Sequence, residues 1–340
     1  MSRREGSTLA DIARRAGVSK MTVSRALRMP EKVAAATREK IMRAVRHRGF
    51  VPSRLASGLA GGRTGLVAAI VPTTTTTMFT AAIRGLDVAL SAEAQALVIG
   101  QTEYRKEVEE RLVRAYLAWR PDGIILTGGL HTPELELVLR RSGVAVAEMW
   151  TLRADPIGAA IGFSDRDAFL ELTRRLLAAG YRRPGFIARD TKGDPRVPER
   201  LSGYRQILEA AGIAPRIVLL PSGHPAVQSG AEGAERLLTQ WPNTDAMMFA
   251  SDTLALGGRF ACMRRGLRVP DDMALTGFGD LELGAEMEPR LTTITLPGER
   301  IGRLAADWVQ GQLPGKRGAT VIDVGYTITV RGSAKLAPSR

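Results

Sequence analysis

With one cysteine, Cys262, in 340 residues the chain has no internal disulfide, so a disulfide-stapled secreted scaffold is excluded and a reducing cytosol is the expected home. Aromatic residues make up only 5% of the sequence, and no run approaches the roughly 20 uninterrupted apolar residues of a membrane-spanning helix. No apolar segment stands behind the first residues, so no signal peptide and no membrane partner are expected. The histidines, His47, His131 and His224, are scattered and lack metal-ligand spacing. There is no glycine-rich phosphate loop of the Walker or dinucleotide type and no nucleophile elbow. Cys262 falls in an apolar helical stretch, where a lone cysteine packs. An enzyme is therefore not expected, nor a cofactor, a metal or a catalytic residue.

Positive charge is present, and it is unevenly placed. Residues 1–65 hold 15 Lys and Arg against 4 Asp and Glu, while the remainder is nearly balanced at 33 against 31. That concentration marks a dedicated polyanion-binding head. The head's sole aromatic is Phe50, whereas a membrane-surface helix would carry bulky aromatics, so nucleic acid is the favoured polyanion.

The head reads as a helix-turn-helix. Thr8 and Asp11 form a capping-box pattern ahead of the apolar stripe Leu9, Ile12, Ala13 and Ala16. Gly17 ends this helix, and Ser19 caps the next only two residues later. On that second helix Val23, Ala26 and Leu27 face inward, while Met21, Ser24, Arg25 and Arg28 project from the opposite side. The outward face is short, polar and cationic, which suits a major groove, with Arg25 able to bridge guanine O6 and N7. Lys20 and Met21 lie at the end that usually reaches base edges. A third helix is expected from about residue 35 to Arg48, stopping at Gly49.

Thr8-Leu9-Ala10-Asp11-Ile12-Ala13-Arg14-Arg15-Ala16-Gly17-Val18-Ser19, Thr22-Val23-Ser24-Arg25-Ala26-Leu27 and Gly49-Phe50-Val51-Pro52 together resemble the head of the lac repressor (LacI/GalR) family. The resemblance implies that Lys20, Met21 and Arg25 read bases and that Thr22 and Ser24 lie against phosphates. It also implies a hinge over 53–63 that folds on DNA, with Leu59 as a minor-groove wedge. Gly58 departs from that pattern, because glycine inside a helix costs about 1 kcal/mol relative to alanine.

From Gly65 onward, short apolar runs at 66–71, 96–99, 123–126, 144–149, 159–163, 185–188, 217–220, 246–249 and 274–278 alternate with amphipathic stretches such as 105–119, 166–179 and 226–240. Such alternation predicts an α/β fold with parallel sheets covered on both faces, here in two subdomains with ligand-binding strand ends facing a cleft. The stretch from Val269 to Phe278 and Pro289-Arg290-Leu291-Thr292-Thr293-Ile294 resemble the family's regulatory core, which is similar to periplasmic sugar-binding proteins. The resemblance implies crossovers near Phe163, Thr293 and Val324. The expected organisation is a helix-turn-helix domain at 1–52, the hinge at 53–63, a core at 64–332 and a tail at 333–340. Within the core, one lobe takes about 64–162 and 294–323, the other about 163–293 and 324–332.

Effector-site candidates come from strand ends and family matches together: Thr75 and Phe79, Thr127 and His131, Glu148, Phe163, Arg196, Arg200 and Ser251. Arg200, in Arg200-Leu201-Ser202-Gly203-Tyr204, matches the family's ligand-binding arginine. The aspartate that accepts hydrogen bonds from neutral sugars in relatives is replaced by Gly279, with Asp280 one step later. A missing carboxylate beside two arginines suits an anionic ligand. Ser19-Lys20-Met21-Thr22-Val23-Ser24-Arg25, His131-Thr132-Pro133 and Met287-Glu288-Pro289-Arg290-Leu291 resemble the gluconate-operon repressor branch. The expected function is thus a sequence-specific DNA-binding regulator, a repressor of carbohydrate or sugar-acid catabolism controlled by gluconate or a related aldonate. A neutral sugar or a protein co-regulator, and a cytosolic binding protein or enzyme on the same core, are the competing readings. The expected partners are a pseudo-palindromic double-stranded DNA operator and a second copy of the chain. The segment after Val330 is short and lacks heptads, which predicts a homodimer without a tail-mediated tetramer.

Overall fold

A computed structural model of the chain describes residues 8–50, 63–74, 77–128, 131–190, 194–221, 225–312 and 318–338. Two compact units divide it, Met1–Thr64 and Gly65–Arg340.

In the first unit, α1 (Leu9–Ala16) starts at a reciprocal cap. Asp11 N–H donates to Thr8 Oγ1, and Thr8 N–H donates to the Asp11 carboxylate at 2.9 Å. Gly17 closes the helix at φ 68°, a left-handed conformation that glycine adopts without steric cost. Ser19 then caps α2 (Lys20–Arg28), and α3 (Ala35–Arg48) follows a short 3₁₀ turn. Ile12, Ala13, Val23, Ala26, Ile41 and Ala44 make the buried core of these three helices.

The second unit contains two six-stranded sheets. The first comprises β1 (Leu66–Val71), β2 (Ala96–Gln101), β3 (Gly123–Thr127), β4 (Ala145–Met149), β5 (Ala159–Gly162) and β11 (Thr320–Asp323), all pairs parallel, in the order β11-β5-β4-β3-β1-β2. The other holds β6 (Pro184–Asp190), β7 (Arg216–Pro221), β8 (Ala246–Phe249), β9 (Ala274–Phe278), β10 (Thr292–Thr295) and β12 (Thr327–Thr329), ordered β12-β10-β9-β8-β6-β7. Among the described residues only β12 runs antiparallel, on β10.

Helices explain why the strands are apolar throughout. Val67 and Ala69 of β1 face one buried cluster while Ala68 and Ile70 face another, so no position is left for a polar residue. On the first sheet α4 (Thr77–Ala92) packs along α12 (Gly298–Gly311), and α5 (Lys106–Ala118) and α6 (Pro133–Ser142) supply the second cluster. On the second sheet α7 (Asp165–Ala178) packs along α8 (Arg196–Ala210), and α9 (Ala226–Gln240) along α10 (Asp252–Arg264). One close helix approach needs glycine. A Cβ on Gly302 of α12 would run into the Ala82 carbonyl of α4.

Three connections join the lobes, after β5, after β10 and after β11. The second differs from expectation by a few residues: β10 stays paired with β9 through Ile294, so the first lobe resumes at α12. Residues 333–337, set apart as a tail in the sequence, are bound into the second lobe. Leu275 N–H donates to the Ser333 carbonyl at 2.8 Å, and Ser333 Oγ donates to the Leu275 carbonyl at 2.6 Å. Arg175 Nε reaches the Ala337 carbonyl at 2.7 Å.

Candidate functional site

Two regions gather chemistry-bearing side chains. In the head, α2 buries Val23 and Ala26 against its neighbours, which turns Lys20, Met21 and Arg25 outward. Met21 is 72% exposed on this outward face. Thr22 and Ser24 are half-buried at the rim, with Thr22 Oγ1 2.8 Å from Ser19 Oγ. Lys20 and Arg25 form no ion pair with any described residue. Leu59, Thr75 and the side chain of Arg28 lie outside the described residues.

The second region is a cavity of about 410 Å³ between the lobes. Met78, Phe79 and Tyr104 line it from the first lobe; Arg189, Asp194, Arg196, Arg200, Ser251 and Gly279 line it from the second. Beneath it runs a chain of rings that crosses the lobe boundary. Phe79 meets Trp150 edge-on at 5.9 Å, Trp150 meets Phe163 at 6.3 Å, and Phe163 meets Phe278 at 6.1 Å. Phe163 is thus a packed floor residue at the first crossover, and it does not line the cavity.

The two candidate arginines differ. Arg200 donates from Nε to Asp165 at 2.6 Å and from Nη1 to the Ala250 carbonyl at 2.7 Å, with its guanidinium 3.7 Å above the Phe278 ring. Burial raises the Asp165 carboxyl even though Arg200 opposes the shift. Arg196 donates from Nε and Nη2 to the two oxygens of Asp194 at 2.7 and 2.9 Å. Burial works against the charge of both partners, yet each stabilises the other: Arg196 is held above its ordinary value and Asp194 below. From across the cleft the rings of Phe79 and Tyr104 approach Arg196 at 5.1 and 5.9 Å.

Other candidates are placed elsewhere than the strand-end rule suggested. His131 and Glu148 sit in a sealed cluster inside the first lobe. His131 Nδ1 lies 2.8 Å from Glu109, and Nε2 faces Glu148 at 3.4 Å. Glu148 accepts from Ile157 N–H at 2.7 Å and from Arg153 at 3.2 Å, and Arg153 also binds Glu136. Both side chains are fully shielded from solvent. Burial alone would lower the His131 pKa, but Glu109 and Glu148 raise it to about 9. Thr127 borders a smaller adjoining hollow of about 40 Å³ that also touches Tyr104, Lys106 and Arg196.

Ser251 caps α10, its Oγ accepting from Leu254 N–H at 3.4 Å. Gly279 has φ 120°, which a side chain rarely adopts. The following residue does not restore a carboxylate to the cleft: Asp280 turns away, accepting from Arg331 Nη2 at 2.6 Å and Thr295 Oγ1 at 3.0 Å. Tyr104, Arg189, Asp194 and Asp252 are cavity residues that the sequence reading missed. Asp252 follows the cap Ser251 directly. Its carboxylate accepts from Thr293 Oγ1 and Leu281 N–H, both at 2.6 Å, and burial lifts its pKa to about 6 against those bonds. No group of three or more His, Cys, Asp or Glu side chains among the described residues is placed to hold a metal ion. No helix among the described residues is long and apolar enough to cross a membrane.

Known proteins resemble the chain over nearly its whole length. Residues 8–53 match the model of bacterial regulatory proteins of the lacI family, and residues 173–334 match that of a periplasmic binding protein-like domain. The HTH-type transcriptional regulator GntR of Escherichia coli is 32% identical over 326 residues, covering 96% of this chain and 98% of the relative. GntR of Pseudomonas aeruginosa is 34% identical over 328 residues, covering 96% and 95%. A crystal structure of a LacI family transcriptional regulator from Silicibacter pomeroyi superposes with a TM-score of 0.89 at 32% identity, covering 96% of this chain and 99% of that one. This chain belongs to the lacI family of DNA-binding bacterial transcriptional regulators.

Proposed function

We propose that the chain is a cytoplasmic repressor of sugar-acid catabolism genes, acting as a homodimer on a pseudo-palindromic operator and controlled by an aldonate such as gluconate in the interlobe cleft. The observation that carries the effector class is the second-lobe wall. Three arginines border it, Gly279 has no side chain, and Asp280 is drawn off to Arg331. A neutral sugar is best served by carboxylates that accept from its hydroxyls. The carboxylates that do border this cleft are engaged, Asp194 by Arg196 and Asp252 by Thr293 and Leu281.

Two paired chains would set their α2 helices about one DNA turn, roughly 34 Å, apart. Lys20, Met21 and Arg25 then meet base edges, while Thr22, Ser24 and Arg28 lie toward the backbone and Leu59 toward the minor groove. The effector acts only through its differential affinity for the lobe arrangements that hold the heads on or off the operator.

The test is binding of the purified protein to DNA from upstream of its own and neighbouring genes at fixed salt, titrated with gluconate, related aldonates and neutral sugars. Release by one acid alone is the expected result. Specific DNA binding that ignores every acid but responds to a neutral sugar, or to none, would sink the aldonate reading. In the same assay Arg25→Ala should cost about 1–3 kcal/mol on the operator and flatten preference at one symmetric position. An equal loss on random DNA would place Arg25 on phosphate instead.

A further inference from the structure

We propose that Met21 reads the 5-methyl group of a thymine in each half of the operator; the assignment rests on the placement of α2 in the major groove set out above. Val23 and Ala26 are 0% and 3% exposed, and their burial fixes which way the helix faces. With these two turned inward, Lys20, Met21 and Arg25 are left exposed. The hydroxyls around them are committed or set back. Ser19 Oγ accepts from Thr22 N–H at 3.1 Å in capping the helix, and it lies 2.8 Å from Thr22 Oγ1. Ser24 is half-buried.

What remains for the base edges is a pair of cations and a thioether. Lysine and arginine donate hydrogen bonds and accept none. Met21 has no donor and only a weakly accepting sulfur, so it does not engage the amino and keto groups of a base as an amide or hydroxyl would. The major groove offers it a single apolar group, the C5-methyl of thymine. An unbranched, polarisable side chain at the helix end that enters the groove is suited to pack on that methyl.

The geometry also says where the thymine lies. Met21 and Arg25 stand four residues apart on one helix face. Side chains so spaced have Cβ atoms about 5–6 Å apart, and stacked base pairs rise about 3.4 Å each. The methyl is therefore expected within about two base pairs of the guanine assigned to Arg25. Discrimination at this position then comes from one methyl group and not from a hydrogen bond. Uracil keeps thymine's pairing and its O4, yet it is read as a wrong base.

The test is fluorescence anisotropy of the full-length protein on a duplex that it selects from a pool of random sequences. Salt is held fixed, and each thymine of the selected half-site is replaced in turn by deoxyuridine. One symmetric pair of replacements should weaken the wild type about 15-fold, and a single one about fourfold, as expected for burial of one methyl group per half-site. Met21→Ala should bind the thymine and uracil duplexes equally, while Arg25→Ala keeps the difference between them. Because Met21 is exposed, its replacement leaves the helix packing intact, which a melting curve checks. Indifference of the wild type to uracil at every position overturns the assignment, and so does a Met21→Ala protein that still tells thymine from uracil. A third result reaches deeper. If neither Met21→Ala nor Arg25→Ala changes the sequence that the protein selects, the placement of α2 in the groove fails, and this assignment falls with it.

Discussion

The two walls of the cleft are made of different material. The first lobe shows rings to the cavity, Phe79 and Tyr104, and keeps the side chains of His131 and Glu148 fully shielded from solvent. The second lobe brings its ion pair to the cavity edge, with Arg196 and Asp194 each only 8% exposed in their side chains. Position in a cleft therefore says less about a residue's task than the number of its bonding sites the protein has already used. The aldonate reading assigns charge recognition to the second lobe and shape to the first.

The strongest way to break that contrast is Glu148→Ala. It removes the acceptor of Ile157 N–H and one of the two carboxylates around His131, a loss of about 3–5 kcal/mol for a broken buried network, read by chemical denaturation. Gluconate affinity measured on the folded fraction should barely change. A collapse of affinity at full stability would return Glu148 to the ligand and erase the distinction.

Acidity probes the same cluster by a second route. His131 is held at about 9 in the fold against an ordinary 6.5, so its contribution is complete below about pH 6.5 and is lost as pH rises through 9. The swing is about 3 kcal/mol, and denaturation midpoints between pH 6 and 10 should show it in the wild type but not in His131→Gln. The smallest expected effect sharpens the picture from the other side. Tyr104→Leu takes away a ring beside Arg196, worth about 1 kcal/mol. Because a wall that reads shape does not distinguish acid from alcohol, gluconate and sorbitol should weaken in equal measure. A selective loss of gluconate would give the first lobe a share in charge recognition.

How much of this was legible follows from what is local and what is not. The head's capping box, its turn at Gly17 and its inward Val23 and Ala26 depend on neighbours within a few residues, so the sequence displays them. The parallel strands showed as apolar runs because both of their faces are covered. Strands β10 and β12 did not, being short and rich in threonine, and neither did the four-residue β11, which ends on Asp323. Thr292 and Thr293 are fully buried on hydrogen bonds to Arg331, Ala334 and Asp252, an environment no apolar pattern announces. Arg196 and Arg200 could be picked out as a pair one helical turn apart. Their partners were hidden, since Arg196 meets an aspartate two residues away and Arg200 meets one thirty-five residues away. His131 and Glu148 lie at the strand ends the topology favours, but side-chain direction there depends on Glu109 and Arg153, which belong to other elements. The fate of Asp280 likewise turns on Arg331, fifty-one residues further along the chain.

The ring chain under the cavity also gives the molecule an optical reporter. Of its four tryptophans, Trp150 is 1% exposed and wedged between Phe79 of the first lobe and Phe163 at the crossover, while Trp119 is 43% exposed and Trp241 and Trp308 are half-buried. Its emission should be the bluest of the four, and the most sensitive to any sliding of one lobe over the other. Effector binding and lobe movement can then be timed in the unlabelled protein from the colour of its own light.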